Sequence, residues 1–192
     1  MTEALSQVDL AFVVDTTGSM NVALEIGRQL GAMISAVCQA DLFAYAFDTI
    51  AYPVEPKGKS LADWEKALRG VNAGGGTSCG VALDWMRRQG QRVEQVVLVT
   101  DEGENTAPLF KDAYEAYAKA LVVRPSVTIV KIGQASDLLE RACRELGVSP
   151  NVVAFGGDYY ALPNVIPLLS YPSQTELLME ILNYPLPQRR AS

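Results

Sequence analysis

Five oxygen-bearing side chains fall at three places along the sequence, each at the end of an apolar or glycine-rich stretch. In the order DTTGSMN, AGGGTSCG and LVTDEGEN, these segments contain Asp15, Thr17 and Ser19, then Thr77, then Asp101. The alternation in the first segment places its three side chains on the same side of a short extended turn. Five oxygen donors without nitrogen or sulfur suit a hard cation such as Mg²⁺ or Mn²⁺. The pattern therefore predicts a divalent-cation site.

Two other interpretations of the first segment stay open. Thr17 or Ser19 could cap the following helix, because hydroxyl oxygens accept hydrogen bonds from the first free backbone N–H groups of a helix. Asp15 could instead be the nucleophile of a Mg²⁺-dependent phosphatase, since haloacid-dehalogenase-type enzymes also place an aspartate after their first strand. That chemistry normally needs a second carboxylate two residues on, and Thr17 cannot shuttle a proton usefully at neutral pH. A threonine at position 17 therefore favours a binding site over a phosphatase active site.

The composition excludes several kinds of site and partner. The chain has 192 residues, of which 49% are apolar, enough for one domain with a sizeable core. It has no histidine, which removes histidine-based triads and most zinc sites. A net charge of −6 argues against direct nucleic-acid binding, which needs clustered lysine and arginine. No apolar run is long enough to span a membrane, and the first residues show no signal-peptide pattern, so we expect no membrane partner.

The remaining reactive side chains have ordinary structural interpretations. Cys38, Cys79 and Cys143 are odd in number and far apart, which predicts buried free thiols in a reducing compartment and a cytoplasmic location. Cys79 lies near a predicted helix start, where a thiol pKa can fall, but a packed thiol is the simpler interpretation. Glu102 and Glu104 are expected to form an acidic loop exposed to solvent.

Strands and helices alternate along the chain. The apolar runs predict buried strands, and FAYAFDTIAYPVE predicts a hairpin whose second strand, with Pro53, lies at a sheet edge. The predicted strands are Asp9–Val14, Leu42–Phe47, Val93–Thr100, Val127–Ile132 and Val152–Phe155. Helical spacing and cap signals predict helices from Asn21, from Ser60 to Leu68 with a capping box at Asp63, over Cys79–Gln89, within Asn105–Leu121, and from Ser136 to Gly147.

This alternation predicts an α/β fold: a Rossmann-like, doubly wound, mostly parallel sheet with one antiparallel edge strand and helices on both faces. We expect a single domain over residues 1–192, with a C-terminal helix at about 173–183 and a short proline-containing tail. In such folds the loops at the carboxyl ends of the strands bind ligands. The three polar segments are therefore expected to converge at one sheet edge.

The motif order resembles the metal-ion-dependent adhesion site of von Willebrand factor A domains, which has Asp-x-Ser-x-Ser, then a threonine, then an aspartate. Asp15, Thr17, Ser19, Thr77 and Asp101 match these positions in order, with Thr17 in place of the middle serine. The resemblance implies a non-catalytic domain that binds Mg²⁺ (or Mn²⁺ or Ca²⁺) and a partner protein. In this family, an Asp or Glu carboxylate of the partner completes the metal coordination. A domain whose metal only stabilises the fold is the remaining alternative.

Two finer resemblances concern the setting of the domain. The segments AGGGTSCGVALDWM and YAFDTIAYPVEP are similar to the A domain of Ro-type RNA-binding proteins. The chain resembles intracellular bacterial A domains that work beside AAA+ ATPases equally well. Either resemblance implies a module within a larger intracellular assembly.

Overall fold

A six-stranded sheet forms the centre of the molecule in its computed structural model. The structure describes residues 8–17, 21–71, 74–133 and 135–169. Ser19 and the predicted helix at 173–183 therefore lie outside the described residues. The strands are β1 (Leu10–Asp15), β2 (Leu42–Phe47), β3 (Ala51–Val54), β4 (Gln95–Thr100), β5 (Ser126–Ile132) and β6 (Asn151–Phe155), in the spatial order β3-β2-β1-β4-β5-β6.

The pairing agrees with the sequence prediction. All neighbouring strands are parallel except β2 and β3, which form the antiparallel hairpin with Pro53 on the edge strand. Its turn contains three residues, 48–50, rather than the predicted two. All six residues of β1 are buried, because helices cover both faces of this central strand.

The helices pack on both faces of the sheet and bury a core on each. Alternate residues of β1 contribute to different cores: Ala11 and Val13 to one, Phe12 and Val14 to the other. The helices are α1 (Asn21–Val37), α2 (Leu61–Leu68), α3 (Val81–Gln89), α4 (Phe110–Leu121), α5 (Leu138–Glu145) and α6 (Val165–Leu169), the last preceded by a 3₁₀ turn over Tyr159–Asn164. None of the described helices has the length and hydropathy needed to cross a bilayer.

The predicted helix starts are accurate for α1 and α2, and they lie one or two residues too early for α3 and α5. Ser60 and Asp63 form the predicted capping box. Helix α5 instead begins after Asp137, and the predicted cap Ser136 lies one residue earlier, where its hydroxyl donates to the Glu102 carbonyl at 2.9 Å. The Ser136 hydroxyl is therefore bound to a neighbouring loop, and a local cap signal could not show this.

Candidate metal centre

Asp15 is the last residue of β1, and its carboxylate is completely buried between neighbouring loops. Its Oδ1 accepts hydrogen bonds from the backbone N–H and the hydroxyl of Thr17, at 2.9 and 2.7 Å. Its Oδ2 accepts from the hydroxyl of Thr100, at 2.8 Å. Burial raises the pKa of Asp15 above its usual range, and the nearby Asp101 carboxylate raises it further, although the three hydrogen bonds oppose this shift. A cation would offset the cost of keeping this buried carboxylate ionised.

The predicted ligands Thr17 and Thr77 are brought together although 60 positions separate them in the sequence. The hydroxyl of Thr77 donates to that of Thr17, and the oxygen–oxygen distance is 2.9 Å. Both side chains are buried. Thr16 lies outside this group, because its hydroxyl donates to the Phe47 carbonyl on β2 at 2.9 Å. The alternating pattern of Asp15 and Thr17 is therefore reproduced in the geometry.

The loop that contains Thr77 is fixed by the loop that follows β4. The Thr77 N–H donates to Asn105 Oδ1 at 2.9 Å, and the Thr77 carbonyl accepts from the N–H groups of Asn105 and Thr106, both at 3.0 Å. The side chains of Asn105 and Thr106 pack directly against Gly76. A Cβ atom at Gly76 would lie 2.1 Å from Thr106 Oγ1 and 2.7 Å from Asn105 Oδ1. The absence of a side chain at Gly76 therefore leaves room for the contact between the two loops beside Thr77.

Asp101 directly follows β4, the strand next to β1. It therefore lies at the same edge of the sheet as Asp15. Its Oδ1 accepts from the Gly103 N–H at 2.8 Å, and its backbone carbonyl accepts from the Ser136 N–H at 3.1 Å. It is close enough to Asp15 to affect the pKa of that residue. Since strand order reverses between β1 and β4, the group lies at the switch point of the sheet, where doubly wound proteins bind ligands.

The donor set fits a small hard cation. Mg²⁺ has oxygen ligands at about 2.0–2.1 Å, so neighbouring ligands of an octahedron lie about 2.9 Å apart. The Thr17 and Thr77 hydroxyls already have this spacing, which also suits the hydrogen bond between them. Ca²⁺, with ligands at about 2.3–2.6 Å, would need a wider site. Within the described residues there is no cluster of three or more carboxylate, thiol or imidazole groups suited to a metal, so a cation here would depend on hydroxyl oxygens.

Four residues at the site were missed or misassigned from the sequence. Thr100 and Asn105 bond the predicted ligands directly. Glu102 and Glu104 do not form a solvated acidic loop: Glu102 is fully buried, and the Glu104 carboxylate accepts from the N–H groups of Cys79 and Phe110, at 3.2 and 2.6 Å. Burial raises the pKa of both glutamates. The acidic sequence suggested exposure because it does not reveal these partners, of which Cys79 lies 25 positions from Glu104. Only Thr100, a polar residue at the end of a buried strand beside β1, carried a usable signal.

Cys79 is a packed thiol, as expected. It is 1% exposed, and burial, with the Glu104 and Asp15 carboxylates, raises its pKa well above the usual range. The lowered pKa that a helix start can cause is therefore absent at this residue. Cys38 and Cys143 are also buried free thiols.

Gly76→Ala should weaken both the fold and the candidate site, since the new methyl group forces Thr77 away from Asn105. We expect a loss of about 1–3 kcal/mol in the free energy of unfolding and a roughly tenfold weaker Mg²⁺ affinity. Urea unfolding and calorimetric titration measure these effects. Gly74→Ala is the matched control, because its Cβ would meet no atom within 4 Å. Equal behaviour of the two variants would contradict the steric role of Gly76.

These elements define a doubly wound α/β protein with an oxygen-rich site at its switch point. Comparison with protein-family models and with curated proteins finds no match. Solved structures do match. The von Willebrand factor type A protein from Catenulispora acidiphila gives a TM-score of 0.62 at 18% identity, covering 86% of this chain and 42% of that chain. The hypothetical protein BatB from Bacteroides thetaiotaomicron gives 0.60 at 16% identity, covering 85% and 97% respectively.

The Ro protein (RSR) from Deinococcus radiodurans is also similar, with a TM-score of 0.55 at 18% identity over 84% of this chain and 33% of that chain. The chain thus spans nearly all of BatB, but less than half of the other two proteins. At sequence identities of 16–18%, these similarities show the fold alone. The chain has a von Willebrand factor A-like fold.

Proposed function

We propose that this protein is a non-catalytic, divalent-cation-dependent protein-binding module. Asp15, Thr17, Ser19, Thr77 and Asp101 would hold Mg²⁺ (or Mn²⁺ or Ca²⁺), either directly or through water. When bound, the cation supplies a positive centre that takes a carboxylate oxygen from an Asp or Glu of a partner protein. Among the three cations, we favour Mg²⁺ or Mn²⁺ because hard divalent cations of this size bind oxygen ligands.

One observation carries this proposal. Two hydroxyls from loops remote in sequence meet at 2.9 Å beside a fully buried carboxylate. Hydroxyl ligands are neutral, so a cation held by them keeps more of its charge for an incoming carboxylate than one held by several carboxylates. This arrangement supports binding of an acidic partner rather than permanent enclosure of the metal.

Apolar side chains around the site favour a protein partner. Ile50, Leu109 and Leu138, here called the apolar rim, are 40–55% exposed. Ser78 donates hydrogen bonds to the carbonyls of Asp48, two residues before Ile50, and of Pro108, next to Leu109. Ser136, two residues before Leu138, donates its N–H to the Asp101 carbonyl. The apolar rim therefore lies at the same sheet edge as the site. Burial of exposed apolar side chains around a polar centre is typical of protein interfaces.

The environment of Asp15 supports binding over phosphoryl transfer. A nucleophilic carboxylate needs an oxygen open to the substrate, whereas both oxygens of Asp15 accept hydrogen bonds and the residue is 0% exposed. Thr17, in the position of the general acid, donates to Asp15. We therefore propose no enzymatic activity.

The proposal includes a cytoplasmic location within a larger assembly, of the Ro type or associated with an AAA+ ATPase. Three buried, unpaired cysteines support a reducing compartment. The chain corresponds to 42% and 33% of two of its structural neighbours, so domains of this fold do occur inside longer proteins. Affinity purification of the tagged protein with and without chelator would identify the assembly.

The primary test uses Mg²⁺ and a random peptide display library as probes. Saturating Mg²⁺ should raise the melting temperature by about 5–10 °C, the shift expected for ligand at about 100 times its Kd. Selection in Mg²⁺ should enrich peptides with an Asp or Glu beside apolar residues, and chelator should release them.

Three other results would each reject part of this function. Peptide binding unaffected by chelator would reject the metal role. A Mg²⁺-dependent melting shift without selected peptides would indicate a purely structural metal. Turnover of a generic phosphate ester would indicate an enzyme.

A further inference from the structure

Glu102 combines three unusual properties for a residue in a loop. Its side chain is completely buried, it carries a carboxylate, and its φ of 60° is left-handed although it is not glycine. Left-handed backbone is sterically disfavoured for residues with a Cβ, and it persists only where surrounding contacts enforce it. Glu102 is the immediate neighbour of the candidate ligand Asp101. Its contacts therefore bear directly on that ligand.

The Glu102 carboxylate connects this loop to α5 and β5. One oxygen accepts a hydrogen bond from the Leu139 N–H at 3.0 Å, in the first turn of α5. The other lies 3.3 Å from the ammonium group of Lys131 on β5. Both contacts are remote in sequence, so the side chain fixes the loop to two separate elements.

The backbone of the same stretch is fixed at both ends. The Glu102 N–H donates to Thr100 Oγ1 at 3.0 Å, and that hydroxyl donates to Asp15. The Glu102 carbonyl accepts from the Ser136 hydroxyl at 2.9 Å, and the Asp101 carbonyl accepts from the Ser136 N–H at 3.1 Å. Asp101 is therefore held between the candidate site on one side and the start of α5 on the other.

We propose that Glu102 is a positioning residue that holds Asp101 ready for the cation, an inference that rests on the proposed function. A ligand on a free loop must be ordered when the cation binds, and that ordering weakens binding. Because the contacts of Glu102 with Leu139 and Lys131 already order the loop in the folded protein, less ordering is needed when the cation binds. Residues that orient a metal ligand without touching the metal typically change affinity about 10–100-fold when replaced.

Charge balance alone does not explain the buried carboxylate. Lys131 already pairs with Glu140 on α5, so its ammonium group has a second, more accessible partner. Glu140 hydrogen-bonds to Lys131 and pairs with Arg144, both outside the Asp101 loop. Glu102 and Glu140 thus share the ammonium group of Lys131, but only Glu102 belongs to the loop that contains the candidate ligand Asp101. This difference provides a matched control.

The test compares Glu102→Gln with Glu140→Gln by calorimetric titration with Mg²⁺. Both variants remove one carboxylate from Lys131 and retain the shape of the side chain. In Glu102→Gln, the amide N–H₂ group faces the ammonium group and loosens the anchor. The Mg²⁺ Kd of Glu102→Gln should rise about tenfold or more, whereas that of Glu140→Gln should change less than about twofold. Circular dichroism in chelator verifies that both variants are folded at the titration temperature. If Glu102 only stabilised the fold, a folded Glu102→Gln protein would have the Mg²⁺ Kd of the wild type.

Glu102→Gly provides a second variant, because glycine adopts positive φ readily, so that this substitution removes both side-chain anchors without adding backbone strain. Its Mg²⁺ Kd should rise up to about 100-fold, since both side-chain anchors are absent. Wild-type Kd values in both Glu102 variants would overturn the positioning role, and so would an equal rise in Glu140→Gln. A wild-type protein that binds no Mg²⁺ would reject the proposed function itself, and with it this inference.

Discussion

Asp15→Asn should abolish Mg²⁺ binding while the metal-free protein keeps its fold. The amide oxygen can accept the two hydrogen bonds from Thr17, and its N–H₂ group can donate to the Thr100 hydroxyl. The variant also removes a buried charge whose ionisation burial makes unfavourable. The metal-free stability should therefore stay within about 1–2 kcal/mol of wild type. Loss of the only buried carboxylate among the described candidate ligands should weaken Mg²⁺ affinity at least about 100-fold.

Asp15→Ala separates the two roles of this side chain. Alanine leaves the Thr17 N–H without an acceptor in a buried site, and the two hydroxyls lose theirs, at about 1–3 kcal/mol for each unsatisfied group. This variant should lose both stability and Mg²⁺ binding. Calorimetric titration gives the affinities, and urea unfolding in chelator gives the metal-free stabilities. Tight Mg²⁺ binding by a folded Asp15→Asn protein would reject Asp15 as a ligand or as a partner of ligand water.

The phosphatase alternative makes a different prediction for the same variant. If Asp15 were a nucleophile, the wild type would hydrolyse a phosphate ester in Mg²⁺ and Asp15→Asn would not. We expect no turnover from either protein. Turnover by the wild type that is lost in Asp15→Asn would reverse our conclusion.

The sheet was predictable because its physical signal is local and repeated. A strand covered on both faces must be apolar at every position, so β1, β4 and β5 appear as continuous apolar runs. Parallel strands end at one edge, which brings the residues after β1 and β4 together without any knowledge of their contacts. Asp15 and Asp101 could therefore be placed in one region from the sequence alone.

The supporting contacts of the site were not predictable in the same way. Whether Glu102 is exposed depends on Leu139 and Lys131, which lie more than 25 positions away and on different elements. Two acidic residues beside glycine and asparagine have the composition of a solvated loop, and only the tertiary structure shows otherwise. Helix α4 lies within the predicted range Asn105–Leu121, but the sequence did not mark its first residue: Leu109 occupies the cap position, and the Glu104 carboxylate accepts the Phe110 N–H from outside the helix.

The two tryptophans of the chain, Trp64 and Trp85, differ in how deeply they are buried. Trp64 lies on α2 and Trp85 on α3, and residue type alone would place either in a core or at a helix-packing position. Trp64 is 1% exposed, its indole N–H donates to Ser35 Oγ at 3.1 Å, and its ring meets Phe12 edge to face at 5.8 Å. Trp85, on α3, is 38% exposed. The two residues should therefore contribute very differently to stability.

Trp64→Ala should lower the free energy of unfolding by about 3–5 kcal/mol, because it leaves a cavity and removes the hydrogen bond that the indole N–H donates to the Ser35 hydroxyl. For a protein of this size that corresponds to a melting temperature about 6–20 °C lower. Trp85→Ala is the control and should cost about 1 kcal/mol or less. Urea and thermal unfolding in chelator measure both, so metal binding does not contribute. Similar losses in the two variants would contradict the packing of Trp64.

A double-mutant cycle with Gly31 identifies the physical origin of that loss. The Trp64 ring lies where a side chain at position 31 of α1 would be: a Cβ there would be 2.5 Å from Trp64 Cε3. Gly31→Ala should therefore destabilise the wild type by about 1–3 kcal/mol through overpacking. In the Trp64→Ala background the clash is absent, and alanine is about 1 kcal/mol better than glycine within a helix. The same substitution should then be neutral or stabilising, and a coupling energy near zero would show that the two residues do not pack together as described.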